Sequence, residues 1–236
     1  MYFIELAETL EKMEKTTSRL ELTDHLVNLL KKTPLEAIDK IIYLIQGKLG
    51  PDYQSNELGV AEKVVAKSLA LASGYSIKYI QSKYNEIGDI GNVAYEILKN
   101  KLQTTLHYEN LTVERLYETL IKISKVTGPG SVDLKLKYIN SLVNNSSKLE
   151  CKFILKLILG NLRLGIADFT ILDAIAISFT GDKRNRKILE RAYNVSSDLG
   201  KIAKLLYSGS LNVIQSISIS LFIPIRPMLA ERVSDS

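Results

Sequence analysis

The sequence predicts an all-α fold, and three observations carry that expectation. Apolar residues recur at three- and four-residue spacing through most of the 236 positions. Helix-start residues (Ser, Thr and Asp caps, a Ser-x-x-Glu box) precede these periodic runs. Third, short blocks of the first hundred residues return in the same order in the second hundred. Glu8-Thr9-Leu10 with Lys12 and Lys15 is echoed by Glu118-Thr119-Leu120 with Lys122 and Lys125, 110 residues on. Gly47-Lys48-Leu49 answers Gly160-Asn161-Leu162 at an offset of 113, and Leu58-Gly59-Val60 answers Leu164-Gly165-Ile166 at 106, so the first turn carries an insertion of about seven residues. Tyr84-Asn85 with Gly88-Asp89-Ile90-Gly91 matches Tyr193-Asn194 with Ser197-Asp198-Leu199-Gly200 at 109. A repeat of this length exceeds solenoid periods and predicts two pseudo-symmetric helical halves from an internal duplication, about 1–105 and 110–215.

Taken in order, Ile4, Leu6, Leu10 and Met13 predict a helix over 2–15, and Ser18 caps a second one through Leu30. Thr33-Pro34-Leu35-Glu36 reads as a capping box with proline in the first turn, opening a helix with Ile38, Ile41, Ile42 and Ile45 on one face. Further helices are expected at about 59–73, 76–86 and 89–101, and the polar stretch to Leu111 is the seam. In the second half Thr112 caps the first helix, and Gly128-Pro129-Gly130-Ser131 is a turn whose serine is expected to cap the next. Ser147-Lys148-Leu149-Glu150 opens the helix ending at Gly160, and 168–179, 184–192, 198–208 and 210–215 complete the set. From Ser216 a period of two takes over and Pro224 and Pro227 forbid a helix, so 216–236 is expected to be an extended linker leaving a 1–215 domain.

Composition narrows the function classes. There are 31 Lys+Arg against 26 Asp+Glu, a balance of +5 that suits a polyanionic partner. Cys151 is the single cysteine, and His25 and His107 are the only histidines, which leaves no internal disulfide, no His/Cys zinc site and no histidine-based triad. Acidic residues at 5, 8 and 11 replace the apolar core of a signal peptide, and no apolar run is long enough for a bilayer. The expectation is an intracellular monomer, cytoplasmic or nucleoid-associated, with no membrane partner. The glycine-bounded turns that open helices are sites where unpaired backbone N–H groups attract phosphate.

Ser18-Arg19-Leu20, Leu58-Gly59-Val60, Gly88-Asp89-Ile90-Gly91, Gly130-Ser131 with Lys135, Leu162-Arg163-Leu164-Gly165-Ile166 and finally Pro224-Ile225-Arg226-Pro227-Met228-Leu229-Ala230 form an ordered set. Together they resemble the N-terminal DNA-binding domain of ATP-dependent DNA ligases of the archaeal and eukaryotic type. The resemblance implies sequence-independent binding of nicked duplex DNA through the minor groove and flanking phosphates, in replication, repair and recombination. It implies Arg19 and Lys135 as phosphate contacts, Arg163 as a minor-groove arginine, and Gly59, Gly130, Ser131 and Gly165 as backbone-amide sites. Asn161 stands where many relatives carry a second basic residue.

ATP, a divalent metal such as magnesium and the adenylated lysine are implied for the parent ligase. No Asp-Gly of that lysine's motif occurs here, so the chain is expected to be a truncated ligase, inactive alone, without catalytic residues, metal ligands or cofactor of its own. Gln103, Leu106 and Tyr108 partly resemble a sliding-clamp peptide. The rival reading is a helical protein-interaction module, such as a clamp adaptor, with incidental DNA contact. Each element also has a structural reading: the glycines as helix caps, Lys135 and Lys137 as a solvated face, Asp89 and Asp198 as N-caps, Tyr84 and Tyr193 as core residues, Cys151 as a buried thiol.

Overall fold

The computed structural model describes residues 1–100 and 110–227. Among them are thirteen α-helices and no strand, and none of the helices is long and apolar enough to cross a membrane. The first half holds α1 (Phe3–Glu14), α2 (Arg19–Lys32), α3 (Leu35–Ile45), α4 (Glu62–Ser73), α5 (Ile77–Ile87) and α6 (Ile90–Ile97). After it come α7 (Val113–Lys125), α8 (Ser131–Asn144), α9 (Lys148–Ile158), α10 (Asp168–Thr180), α11 (Arg186–Ser196), α12 (Leu199–Ser208) and the short α13 (Leu211–Gln215).

Local chemistry accounts for most boundaries. Ser18, Ser76, Asp89, Thr112, Ser147 and Asp198 each accept a backbone N–H from the first turn of α2, α5, α6, α7, α9 and α12. Two expected caps fail. Thr33 turns back, donating to Leu29 O at 2.9 Å, and Pro34 becomes the uncapped start of α3. Ser131 is the first helical residue of α8, because Gly130, in the left-handed region at φ +79°, makes the turn and takes the cap position. The helix expected over 184–192 runs to Ser196, preceded by a 3-10 turn at Lys183–Asn185.

The halves interleave. α2 packs on α10 while α8 packs on α4; α6 packs on α9 while α12 packs on α3. Near the start of each half, Phe3 N donates to Leu111 O (2.7 Å) and Val113 N to Met1 O (3.0 Å). Every dominant contact of one half therefore has a counterpart crossing the other way. Two helical glycines permit the closest crossings: a Cβ on Gly91 would lie 2.6 Å from Lys152 O, and one on Gly200 would lie 2.5 Å from the Tyr43 ring. One continuous core results, built around fully buried Phe3, Leu10, Ile41, Leu120 and Phe153, with the Cys151 thiol buried inside it. A charged layer crosses it. Lys152 pairs with Glu11 and Glu14 (2.6 and 2.7 Å), and Lys156 with Glu14 and Asp89 (2.7 and 3.1 Å), tying α9 to α1 and to the cap of α6.

The stretch after Ser216 does not simply depart. It turns at Leu221-Phe222, with Phe222 at φ +65°, and comes back onto α11. Ser197 donates to Pro224 O (2.6 Å), and Arg226 N to Asn194 O (2.8 Å). The Arg226 guanidinium then stacks on Tyr193 and reaches Asp168 at 3.0 Å. Alternation of apolar residues and two prolines predicted an extended linker; they could not show that Arg226 is anchored on Tyr193 and Asp168. Residues 228–236 lie outside the described part.

Candidate nucleic-acid interface

The two glycine turns are built alike. Gly59 and Gly165 are exposed and left-handed, at φ +52° and +63°, a conformation that a side chain makes strained. Two residues later stand Ala61 and Ala167, extended N-caps of α4 and α10 that offer no side-chain acceptor. The first amides of both helices are thus left to solvent or to an anion. Gly47 (φ +70°) and Gly160 (φ +66°) end α3 and α9 in the same way.

Tertiary contacts join the loops. A Cβ on Gly47 would lie 3.6 Å from Leu162 O, and Gln46 donates to Asp168 at the start of α10 (3.1 Å). Residues 47–52 and 54–60 line a cleft of about 460 Å³, bounded on its other side by Leu120 and Leu157–Gly160. The loop is tied at its start, where Tyr117 donates to Leu49 O at 2.7 Å and Lys48 pairs at the surface with Asp52. Burial, with the charges of Asp39 and Asp198 behind it, pushes the Tyr117 phenol up to about 12, so it stays a neutral donor. The Tyr193 phenol is raised as well, by burial first and then by its 2.8 Å hydrogen bond to Asp168.

The residues singled out in the sequence fall into three groups. Lys135 lies beside Gly59: its Nζ donates to Leu58 O (2.7 Å) and Gly59 O (3.2 Å), placing the first turn of α8, with Gly130 and Ser131, next to that turn. An ammonium has three donors, so one remains. Arg163 and Gly165 share the second turn, and the exposed Arg163 makes no hydrogen bond or ion pair among the described residues. Arg19 is drawn elsewhere, its guanidinium donating to buried Asp173 on α10 at 2.8 Å. Gln103, Leu106 and Tyr108 lie outside the described residues. Of the tyrosines, Tyr193 is buried, whereas Tyr84 is half-buried and donates to Glu62 (2.9 Å).

A basic run with no turn signal of its own, Lys183-Arg184-Asn185-Arg186-Lys187, has four cations in five residues. Lys183 and Arg186 converge on Asp173 beside Arg19, at 3.2 and 3.4 Å. Charge density alone would have flagged it.

Compared with known proteins, residues 2–176 match the family described as "DNA ligase N terminus". Among curated proteins the chain is similar to a DNA ligase of Nitrosopumilus maritimus (strain SCM1), 56% identical over 233 residues, covering 99% of this chain and 40% of that protein. A DNA ligase of Cenarchaeum symbiosum (strain A) is 51% identical, with the same coverage. A "DNA ligase 2" of Thermofilum pendens is 46% identical over 237 residues, 98% of this chain and 39% of the relative. The chain spans about two fifths of the length of these relatives.

Proposed function

This chain belongs to the family of DNA ligase N-terminal domains, and from that premise we propose that it holds nicked duplex DNA for an ATP-dependent ligase, binding the minor groove and flanking phosphates without regard to sequence. The observation that carries the reading is the pair of like-built turns at Gly59 and Gly165, each exposing the uncapped start of a helix, in loops joined through Gly47–Leu162 and Gln46–Asp168. The two strands of duplex DNA are related by approximate two-fold axes. A domain of two matched halves, which we take to descend from an internal duplication, offers each strand an equivalent corner. Amide and guanidinium contacts to phosphate and sugar carry no base information, as a nick-sealing reaction at any sequence requires. Arg163, Gly59 and Gly165 are the principal contacts in this scheme, with the remaining Lys135 donor, Gly130 and Ser131 beside the first turn.

Strand joining itself falls to other parts of the ligase, which would bring the adenylated lysine, ATP and a divalent metal. The described residues bring no three His, Cys, Asp or Glu side chains together in a metal-binding group, so no step through a metal is assigned to them. Titrating fluorescent nicked duplexes of two unrelated sequences with the protein over a salt series tests the proposal. With about six phosphates neutralised, both should give a log–log slope of about −5 and the same affinity. A slope near zero, or a strong preference for one sequence, would refute it.

A further inference from the structure

Asp173 is fully buried, yet its one carboxylate faces three cations: Arg19 from α2, Lys183 from the 3-10 turn and Arg186 from α11. Among the described residues the only other acid in contact is Glu190, 3.8 Å from Arg186, while the neighbouring Arg184 is closed on Asp182. Two carboxylates against three cations leave a positive excess, and it is held on the surface. The side chains of Arg19, Lys183 and Arg186 remain 57%, 53% and 32% exposed. Their free donors are fixed in direction by a buried anchor, and Arg186 is steadied further by the half-exposed Phe169 ring beneath it. A pair serving only to tie α2 to α10 needs one cation; the second and third add repulsion unless an anion joins them.

The corner also breaks the match between halves. In the first half the segment equivalent to the basic run is Gly74-Tyr75-Ser76-Ile77-Lys78, with one cation, and Lys67 stands in place of Asp173. An anion bound here is met on one side of the domain only.

We propose that Arg19, Lys183 and Arg186, gathered on the buried carboxylate of Asp173, form a phosphate-binding corner that takes a backbone phosphodiester of one strand of the bound duplex, Asp173 acting as a positioning residue. Forked guanidinium donors and an ammonium suit the tetrahedral, doubly accepting phosphodiester. This rests on the DNA-binding reading above and gives that binding an asymmetric contact, by which the matched halves would be set on the duplex in one orientation.

The test compares nicked-duplex binding by the unaltered protein, by Lys183→Gln/Arg186→Gln, and by Lys31→Gln/Lys32→Gln, which removes the same charge at the other end of α2. The first pair should weaken binding by about tenfold and make the log–log salt slope shallower by about 2, while the second pair leaves the slope unchanged. Lys183→Gln alone, at a half-exposed side chain, should reduce the slope by about 1, which keeps the test decisive if the double variant folds poorly. Variants that lower thermal stability but bind with the original affinity and slope would show a purely structural cluster and overturn the proposal. Absence of salt-dependent binding by the unaltered protein would instead overturn the DNA-binding reading itself.

Discussion

Arg163 and Lys135 differ in what it costs to use them. Lys135 already donates to Leu58 O and Gly59 O, so it shapes the first turn before any ligand arrives. Arg163 gives up no partner among the described residues, and its guanidinium is open to an incoming anion. Arg163→Ala should therefore weaken duplex binding on every sequence alike and reduce the salt slope by about 1, while thermal stability stays within about 0.5 kcal/mol. Equal affinities for the variant and the unaltered protein would leave the arginine no part in binding. Gly165, at φ +63° with open space around its missing Cβ, is constrained by backbone alone; no neighbour forbids a side chain there.

Among the elements, α9 is the one that the charged layer holds. Burial alone would raise the Glu11 carboxyl, but hydrogen bonds from Lys152 and Lys15 outweigh it and hold the group below the ordinary glutamate range. Burial would likewise lower Lys152, and Glu11 and Glu14 instead hold its ammonium above the usual lysine range. A carboxyl lowered on folding contributes stability that is complete above its unfolded pKa and is lost as pH falls through the folded value; a raised lysine contributes fully below its unfolded pKa and loses that contribution only in strong alkali. The melting temperature should therefore be level through neutral pH and fall in acid. Glu11→Gln should melt lower at pH 7 and converge with the unaltered protein in acid, below the ordinary glutamate range. Parallel melting curves across that range would remove the network from the acid limb. Lys152→Met, which takes the shared cation from Glu11 and Glu14 but leaves them Lys15 and Lys156 and some contact with water, should cost about 2 kcal/mol, less than the ~3–5 of a fully buried pair.

At the scale of the molecule the crossings decide folding. α2 buries its apolar face on α10, α4 on α8, α3 on α12 and α6 on α9, so each half supplies the cover for the other. Residues 1–99 alone would leave the faces of α2, α3, α4 and α6 in water and lack a core of their own. The whole chain should unfold in one transition, coincident by circular dichroism and tyrosine fluorescence, and the 1–99 fragment should show no cooperative melt. A fragment that melts cooperatively would mean that the halves are independent units. The same interleaving places α8's first turn against the Gly59 loop, so damage to one half's core should reach the other half's turn.

Periodicity, caps and glycines were enough to determine an all-α chain, the order of its helices and the glycine turns, because each depends on residues within four positions of one another. Local chemistry misjudged Thr33 and Ser131, where a neighbouring carbonyl or a left-handed glycine competed for the same role. It also missed the corner around Asp173, whose partners are 154, 10 and 13 residues away along the chain. The return of Arg226 to Tyr193 and Asp168 was equally hidden, and so was the reason for Gly91 and Gly200, which sit in ordinary helix and matter only because another helix passes within contact of them. Sequence specified the pieces through short-range geometry. Which helix covers which, and therefore which charges meet, was settled only by burying both halves in a single core.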